Sequence, residues 1–311
     1  MSQVALGRSG RGADLVIGVS PTLGSAALAA MLAHRGGVPL LLVLQDLYGR
    51  GARQSGIAGG RAAAGIIERL EGQLVVRAKR VIAVSPSFLP TLCSYGANVA
   101  DISLIRNWSH VDAPGLEDLP VVRKSLGWST EDFVVLHAGN MGAKQGLENV
   151  IGAAQLLRET NVRIVLMGGG NQRDKLEKLA RGVRNIEFID SVPEEDFPTV
   201  LAAADVLLVN ERATVIDMSL PSKLTSYWMA GRPVLAAVTT SGATALEIQS
   251  AGAGMLVPSG QPALLAEAIL QLRDDPGLRE SLARTAHLHV LATLTSTAAL
   301  DAYEEVVRAL L

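Results

Sequence analysis

Short apolar runs alternate with helix-forming segments through most of the chain, and this alternation restricts the fold more than any other feature. The runs predicted as buried strands are, in chain order, 14–20, 39–44, 80–84, 102–105, 133–137, 162–167, 186–189, 205–209, 234–238 and 254–257. Helical segments separate them, such as the Ala- and Leu-rich stretch 22–35. Strands joined by helices pair in parallel through right-handed crossovers. The sequence therefore predicts an α/β protein built on doubly wound parallel sheets.

The alternation is interrupted by a segment rich in Asp, Pro and Gly at 109–120. Such a composition is typical of a linker, and 311 residues suit two domains of ordinary size. We therefore predict an N-terminal domain over 1–115 and a second domain over 121–275. The remaining residues, 276–311, are predicted to form a helical tail that packs back across the domains.

The overall composition argues against several classes of protein. A formal net charge of −2 does not favour a non-specific nucleic-acid binder. Cys93 is the sole cysteine, so no internal disulfide can form and a cytoplasmic location is expected. One cysteine and five scattered histidines predict no metal site. No apolar run is long enough for a transmembrane helix. A peripheral contact of Arg50, Arg53 and Arg61 with the inner face of the plasma membrane competes with a plain solvated loop.

The segment 219–238, SLPSKLTSYWMAGRPVLAAV, is the most informative stretch of the chain. Ser222 is a good N-cap, and the first N–H groups of a helix have no intrahelical partners. With Lys223 beside them, these N–H groups form an anion site. A Gly-Arg-Pro turn then ends the helix before an apolar strand. The pattern predicts a ligand that carries phosphate.

Two glycine-rich turns follow predicted strands in the same half of the chain. The first reads Gly-Asn-Met-Gly at 139–142, and the second reads Gly-Gly-Gly at 168–170. Glycines at such places let the backbone approach a ligand closely. A purely structural turn is the alternative for the first. The second is too common a pattern to establish phosphate binding and does not match a Gly-x-Gly-x-x-Gly motif.

These motifs resemble the donor site of bacterial family 4 glycosyltransferases. The string GNMGAKQGL at 139–147 and the Pro-Ser-Lys segment are similar to those of the branch that makes exopolysaccharide, colanic-acid-like and O-antigen glycans. The resemblance implies the GT-B architecture, in which two Rossmann-like doubly wound parallel sheets face a cleft. It implies a nucleotide-sugar site that includes Gly139, Asn140, Gly142, Gly168, Gly169, Ile189, Val192, Ser222 and Leu224. Lys144 and Lys223 would stabilise the departing diphosphate.

The N-terminal half resembles the family less closely. The string LQDLY at 44–48 is similar to the family's His-x-x-Asp-Leu-Trp-Pro, so Asp46 is expected to contact the acceptor or the sugar. Val43 and Gly49 stand where the family has the histidine and the proline.

Two further departures bear on activity. Met218 and Ser226 occupy the positions where many family members carry a pair of glutamates, one of which is the usual ribose contact. The first strand–helix units of the family have no counterpart before Asp14, so the N-terminal sheet is expected to be incomplete. A truncated gene product, a misassigned start and one half of a split enzyme, completed by a partner chain, are the alternatives.

The resemblance implies transfer of a sugar from a nucleotide diphospho-sugar to a glycan or lipid-linked acceptor in cell-surface polysaccharide biosynthesis. The base, uracil or guanine, is left open. The family is typically retaining and metal-independent, so no cofactor is expected. Two alternatives remain: a nucleotide-binding chain that is catalytically impaired or forms half of a split transferase, and a nucleotide-sugar epimerase of the same shape.

Overall fold

The computed structural model describes residues 12–20, 22–47, 60–108, 119–214 and 222–311, with the backbone alone for 60–64 and Ser222. The chain divides into two compact units. Unit 1 comprises 1–107 together with 297–311, and unit 2 comprises 108–296. Among the described residues, no helix is both long enough and apolar enough to cross a membrane.

Unit 1 contains a parallel sheet with the strand order β1-β2-β3-β4. Its strands are β1 (Val16–Ser20), β2 (Leu40–Leu44), β3 (Arg80–Ala83) and β4 (Ile102–Leu104). The helices between them are α1 (Leu23–Gly36), α2 (Gly60–Arg77) and α3 (Leu89–Ser94), with short 3₁₀ turns at Pro86–Phe88 and Val99–Asp101. Every crossover runs through a helix, which is why neighbouring strands are parallel.

Unit 2 contains a parallel sheet with the strand order β10-β9-β8-β5-β6-β7. Its strands are β5 (Phe133–Ala138), β6 (Val162–Met167), β7 (Ile186–Ile189), β8 (Val206–Asn210), β9 (Val234–Val238) and β10 (Met255–Pro258). Its helices are α4 (Leu119–Ser125), α5 (Glu148–Leu156), α6 (Arg173–Leu179), α7 (Phe197–Ala203), α8 (Ser222–Met229), α9 (Ala243–Ala251), α10 (Pro262–Asp274) and α11 (Pro276–Thr293).

The winding of unit 2 creates a place where a ligand can bind. The chain moves outward from β5 through β6 to β7, and then returns to the opposite side of β5 to form β8. The carboxyl ends of β5 and β8 therefore flank a topological switch point, where doubly wound sheets bind their ligands.

Both faces of the unit 2 sheet are covered, since every residue of β5, β8 and β9 is buried. Val134 and Leu136 enter an apolar cluster with α7, α8 and α11, whereas Phe133 and Val135 enter a second cluster with α5 and α10. Strands buried on two faces need nearly continuous apolar runs. This requirement explains why the strands of unit 2 are so clear in the sequence.

Unit 1 is covered differently on its two faces. On one face Gly18 lets α1 lie close, because a Cβ on Gly18 would stand 2.9 Å from the Cβ of Ala29. On the other face Leu41 and Ile82 pack against the last helix, α12 (Ser296–Arg308), with Tyr303 partly buried over them. The C-terminal end of the chain thus completes the core of the N-terminal unit.

Strand β1 lies at one edge of the unit 1 sheet. Its side chains Ile17 and Val19 are 50% and 49% exposed, although both are apolar. An edge strand also presents backbone groups that could pair with another chain. The β1 edge is therefore the least covered part of either sheet in the described residues.

The predicted alternation of strands and helices is present in both units. The strands predicted at 162–167, 186–189 and 234–238 coincide with β6, β7 and β9. The predicted tail 276–311 consists of two helices that belong to different units: α11 packs in unit 2 and α12 in unit 1. Unit 2 therefore extends to residue 296, beyond the limit of 275 that was predicted for the second domain.

Candidate functional site

A cavity of about 450 Å³ opens at the switch point of unit 2, between the carboxyl ends of β5 and β8. The turn after β5, the end of β8, the start of α7 and the first turns of α8 form its walls. The polar lining residues are Asn140, Gln145, Asn210, Glu211, Lys223 and Ser226. The cavity therefore joins the glycine turn at 139–142 to the helix that follows the Pro-Ser sequence.

Lys223 and His137 contact each other at this cavity. The Lys223 ammonium donates a hydrogen bond to Nε2 of His137 at 3.0 Å, while Nδ1 of His137 donates to the Leu208 carbonyl oxygen at 3.1 Å. One ring nitrogen thus donates and the other accepts, which describes a neutral imidazole. The Lys223 side chain also lies along Gly139, where an added Cβ would stand 3.1 Å from its Cε atom.

Burial is the main influence on the charge of this pair. Burial, assisted by the charge of Lys223, lowers the pKa of His137 to about 3. Burial also lowers the pKa of Lys223 to about 8, against the opposing attraction of the Glu211 carboxylate. At neutral pH His137 is therefore uncharged and Lys223 keeps its proton. The Lys223 ammonium is therefore positively charged at the cavity, and its hydrogen-bond acceptor His137 does not neutralise that charge. This arrangement suits an anionic ligand.

Glu211 follows β8 on the wall of the cavity. Its Oε1 atom accepts a 2.8 Å hydrogen bond from the hydroxyl of Thr244 on α9, and its carbonyl oxygen accepts one from the hydroxyl of Ser259. Its N–H donates to the Ala237 carbonyl oxygen of β9 at 3.0 Å. These bonds fix the Glu211 carboxylate. Among the described residues, it is the only acidic side chain that lines the cavity with Lys223.

Tyr227 ties α8 to the end of β5. Its hydroxyl accepts a 2.8 Å hydrogen bond from the N–H of Ala138 and donates to the carbonyl oxygen of Ala138 at 3.2 Å. The side chain is fully buried, and burial raises the pKa of the hydroxyl. Because Lys223 lies one helical turn before Tyr227, this contact fixes the lysine relative to Gly139.

Asn210, the last residue of β8, holds the loop that follows the glycine turn. Its Nδ2 group donates to the carbonyl oxygens of Gln145 at 2.6 Å and Gly146 at 3.0 Å. Its Oδ1 atom accepts from Nδ2 of Asn149 at 2.7 Å. Asn210 is buried, and its two donors and its acceptor all have partners. Asn210 therefore attaches the loop to β8 with all of its own polar groups paired, although the Oδ1 atom of its partner Asn149 is buried without a hydrogen bond.

The two glycine turns contact each other through their backbones. A Cβ at Gly168 would stand 2.3 Å from the carbonyl oxygen of Gly139, and one at Gly170 would stand 2.6 Å from that of Met141. Their φ angles of 127° and 148° also favour glycine. At Gly169, in contrast, an added Cβ would meet nothing within 4 Å. The second turn thus packs against the backbone of the first turn at Gly168 and Gly170.

The structure brings several of the predicted donor-site residues together. Gly139, Asn140 and Lys223 line the cavity. Gly142 lies against the Asn140 side chain, since a Cβ on Gly142 would stand 2.9 Å from Nδ2 of Asn140. The Leu224 side chain is buried in the core below α8, while its N–H belongs to the first turn of that helix.

Other predicted residues lie apart from the cavity lining. Lys144 is exposed on the 3₁₀ turn Ala143–Gln145, and its carbonyl oxygen accepts a 2.9 Å hydrogen bond from the N–H of Arg212. The Ile189 and Val192 side chains pack against the core, and the Ile189 carbonyl oxygen accepts from the N–H of Gly168 at 2.9 Å. The roles of these three residues stay predictions.

Some predicted residues lie outside the described residues. Met218, Arg50 and Arg53 are among them, and so are the side chains of Arg61 and Ser222. Ser226, at the position of the second family glutamate, lines the cavity.

Asp46 belongs to unit 1, just after the carboxyl end of β2. Its side chain is partly buried, and burial raises the pKa of its carboxyl group. The neighbouring Gln45 accepts a 2.7 Å hydrogen bond at Oε1 from Nδ2 of Asn107. A contact of Asp46 with acceptor or sugar stays a prediction. Among the described residues, no three His, Cys, Asp or Glu side chains are grouped to hold a metal ion.

Sequence reasoning missed four residues of the site: His137, Asn210, Glu211 and Tyr227. His137 is one of the five scattered histidines to which no site was assigned. It is fully buried, and its accepting nitrogen points to Lys223. Polar residues at the last positions of apolar strands, as at 137 and 210, were the signal available in the sequence.

Comparison with known proteins gives the family. The model of the family described as glycosyl transferases group 1 matches residues 120–289, more than half of the chain. The chain belongs to this family. A glycosyl transferase 4-like domain model matches residues 2–108. The match to the first model contains the whole of the switch-point cavity.

Two curated relatives place the chain in context. It is 31% identical over 230 residues to the putative colanic acid biosynthesis glycosyl transferase WcaI of Escherichia coli K12, covering 70% of this chain and 56% of WcaI. It is 29% identical over 208 residues to the lipopolysaccharide core biosynthesis glycosyltransferase LpsD of Rhizobium meliloti, covering 65% of this chain and 56% of LpsD. The chain thus spans a little over half the length of these two relatives.

A solved structure confirms the fold. Anabaena Alr3699/HepE in complex with UDP superposes with a TM-score of 0.74 at 19% identity, over 95% of this chain and 79% of that one. The same protein has been solved with UDP-glucose. The prediction of a GT-B-like α/β fold with two Rossmann-like parallel sheets is therefore confirmed.

Proposed function

We propose that the chain is a glycosyltransferase that moves a sugar from a nucleotide diphospho-sugar to a glycan or lipid-linked acceptor in cell-surface polysaccharide biosynthesis. The family match and the names of WcaI and LpsD support the reaction class. The observation that carries the proposal is the Lys223 ammonium beside Gly139 at the switch point. The cysteine content, a single Cys93, supports a cytoplasmic location.

Lys223 is proposed to neutralise the charge that develops on the diphosphate as the sugar leaves. A preorganised cation acts most strongly where burial has removed competing water. His137 holds the ammonium through a neutral nitrogen, so the positive charge stays available to a ligand. The N–H groups of the first turn of α8 lie at the same end of the helix as Lys223 and add to the anion site.

The remaining roles extend this proposal. Lys144 is proposed as a second cation for the diphosphate, and Asp46 as a contact to acceptor or sugar. We propose that lysines rather than a metal neutralise the leaving group and that the anomeric configuration is retained, as the family resemblance implies. The complexes of HepE with UDP and with UDP-glucose support a nucleotide-sugar donor.

Calorimetric titration with UDP and with GDP tests the proposal. A charge-assisted hydrogen bond contributes about 1.5–3 kcal/mol, so Lys223→Ala should weaken nucleotide binding roughly 10- to 100-fold. Lys178→Ala, which removes an exposed lysine from α6, is the matched control and should bind as the parent chain does. Absence of heat with both nucleotides, or equal affinities for Lys223→Ala and the parent chain, would contradict the proposal.

A transfer assay separates the transferase from the alternatives. The purified chain is incubated with UDP-glucose, with and without a lipid-linked or glycan acceptor, and products are separated by chromatography. The names of the relatives favour transfer. Nucleotide binding without transfer would instead support a half that needs a partner chain, and a new nucleotide sugar without acceptor would support an epimerase.

A further inference from the structure

The cavity that holds the Lys223 ammonium also contains an acid, Glu211. The Glu211 carboxylate attracts the Lys223 ammonium, and this attraction opposes the effect of burial on the pKa of the lysine. A carboxylate in this place would also repel a diphosphate bound at the same ammonium. A site for phosphate alone would therefore bind more tightly without Glu211. Its position in the wall indicates that it serves a different part of the ligand.

The turn that carries Glu211 does not depend on the carboxylate for its position. The N–H of Glu211 donates to the Ala237 carbonyl oxygen at 3.0 Å, and its own carbonyl oxygen accepts a hydrogen bond from the Ser259 hydroxyl. The next residue, Arg212, donates its N–H to the carbonyl oxygen of Lys144 at 2.9 Å. Main-chain bonds thus fix the turn after β8, and the side chain can serve a ligand.

Thr244 sets the direction of the carboxylate. Its hydroxyl, in the first turn of α9, donates to Oε1 of Glu211 at 2.8 Å. Thr244 is buried, which keeps this donor in one position. An ionised carboxylate offers about four acceptor sites on its two oxygens, and the Thr244 bond occupies one of them. Glu211 is half-buried and lines the cavity, so hydroxyl groups of a ligand can donate to the same carboxylate.

The strand order places Glu211 beyond Lys223, away from the second glycine turn. Lys223 lies where β5 meets β8, since its partner His137 on β5 donates to the backbone of β8. The turn at 168–170 follows β6, on one side of this point. Glu211 follows β8 and bonds to β9, on the other side. A group that is attached to a diphosphate at Lys223 and extends over β8 and β9 therefore passes along the carboxylate.

A second cavity gives such a group room. It has a volume of about 470 Å³ and adjoins the first, since Asn210 and Glu211 line both. The starts of α5 and α10 and the Ser259 hydroxyl form other parts of its wall. Asn149 also lines it, and the Oδ1 atom of this side chain is buried without a hydrogen-bond partner. Carboxylates, amides and hydroxyls of this kind bind a polyhydroxylated ligand through hydrogen bonds.

We propose that Glu211 binds hydroxyl groups of the sugar that the nucleotide diphosphate carries, and so contributes to the choice of donor. This contact rests on the proposed function, because it concerns the sugar that is transferred. Lys223 holds the diphosphate, and Glu211 accepts hydrogen bonds from the group beyond it. A carboxylate accepts such bonds about twice as strongly as a neutral group does. The nucleotide sugar therefore gains affinity from Glu211, whereas the bare nucleotide does not.

Calorimetric titration of matched ligands tests the proposal. The pairs are UDP with UDP-glucose and GDP with GDP-mannose, and the measured quantity is the ratio of affinities, nucleotide sugar over nucleotide, within each pair. Glu211→Gln keeps the shape of the side chain and an acceptor for Thr244, but removes the charge. It should bind the bare nucleotide at least as tightly as the parent chain, since a repulsive charge is gone. The ratio for the pair that the parent chain prefers should fall about five- to tenfold.

Two further variants keep the test specific. Glu267→Gln makes the same change in charge at an exposed position of α10 and should leave the ratio unchanged. Thr244→Val removes the hydroxyl that orients the carboxylate and should lower the ratio by a smaller factor. Because Thr244 acts through Glu211, the double variant should show no further loss beyond that of Glu211→Gln alone. Thermal melting of each variant shows whether it is folded.

Two results would overturn the contact of Glu211 with the sugar and leave the proposed function standing. One is a ratio that Glu211→Gln leaves unchanged in both pairs, even where the variant is less stable, because the carboxylate would then serve only the start of α9. The other is a lost preference for UDP over 2′-deoxy-UDP with an unchanged ratio for UDP-glucose, which would assign the carboxylate to the ribose. A parent chain that binds none of these nucleotides would contradict the proposed function and this contact together.

Discussion

The carboxyl ends of β5 and β2 hold their polar residues in different ways. After β5, Lys223 is fixed by His137, which in turn donates a hydrogen bond to the backbone of β8. The Tyr227 hydroxyl bonds to both the N–H and the carbonyl oxygen of Ala138. After β2, Gln45 accepts a hydrogen bond from the exposed side chain of Asn107. Backbone groups of a buried sheet do not move independently, whereas exposed side chains do. The donor side is therefore preformed to a degree that the described residues after β2 are not.

The surrounding sheets show the same difference. Strands β5 and β8, which carry the site in unit 2, are buried along their whole length. In unit 1, β1 remains at an edge with half of its side-chain surface open at Ile17 and Val19. The four predictions below test whether rigidity and burial at the end of β5 matter as much as the geometry indicates.

The largest effect is expected where the two glycine turns touch. Gly168→Ala should cost about 3 kcal/mol or more, since it combines a backbone overlap at 2.3 Å with an unfavourable φ of 127°. Gly169→Ala, one residue along, meets open space and should change stability little. Chemical denaturation compares the two. Equal stabilities would show that the turn adapts, and the donor side would then not be rigid.

Asn210 bonds to the loop that follows the glycine turn after β5, and Asn107 bonds to Gln45 after β2. Replacing each asparagine with alanine compares the two strand ends. Asn210→Ala leaves the Asn149 amide and two loop carbonyl groups without their partner in a buried region, so a loss of about 2–3 kcal/mol is expected. Asn107→Ala removes one exposed bond and should cost less than about 1 kcal/mol. Denaturant midpoints at equal m-values measure both. Similar losses would remove the distinction drawn between the two strand ends.

Acid should destabilise the chain through His137. Its pKa is 6.5 when exposed and about 3 when folded. The unfolded chain therefore binds the proton first as the pH falls below 6.5, and folding stability declines with it. Between pH 7 and pH 5 the contribution amounts to about 2 kcal/mol.

Denaturation of the parent chain and of His137→Asn at both pH values isolates this contribution. The loss on acidification should shrink in His137→Asn. His34→Asn, a change at an exposed histidine of unit 1, serves as the control. A parent chain and a His137→Asn variant with the same acid sensitivity would show that the imidazole is not held neutral.

Nucleotide affinity should depend on pH through Lys223. Its pKa of about 8 means that most of the ammonium is lost between pH 7 and pH 9. The affinity for UDP should therefore fall as the pH rises through 8, by about tenfold over that interval. Calorimetry of the parent chain and of Lys223→Ala across this range measures it, and the variant should show a flatter profile. An unchanged affinity at pH 9 would place the diphosphate elsewhere.

The sequence predicted those parts of the molecule that depend on local chemistry. Strands such as β8 and β9 had to be almost entirely apolar because helices cover both faces, and such runs are visible without any structure. The glycine turns and Lys223 were equally local signals.

The rest of the site depends on which strands are neighbours. His137 donates to a carbonyl group 71 residues away in the sequence, on β8. Nothing in the periodicity of either strand fixes that pairing, because β8 could have been added beside β7 as well as beside β5. Asn210 and Glu211 acquire their roles through the same strand order. The exposed position of Lys144 likewise follows from how Asn210 holds the loop, which a motif does not reveal.

The position of α12 has a consequence for how the chain is made. The ribosome delivers β1 to β4 before unit 2, yet the helix that covers Leu41 and Ile82 follows unit 2 in the chain. Unit 2 can therefore complete its core before α12 emerges, whereas this face of the N-terminal sheet acquires Tyr303 and its helix only afterwards. Unit 1 thus departs from the usual N-terminus-first order of folding, because its core depends on a helix made after the neighbouring unit.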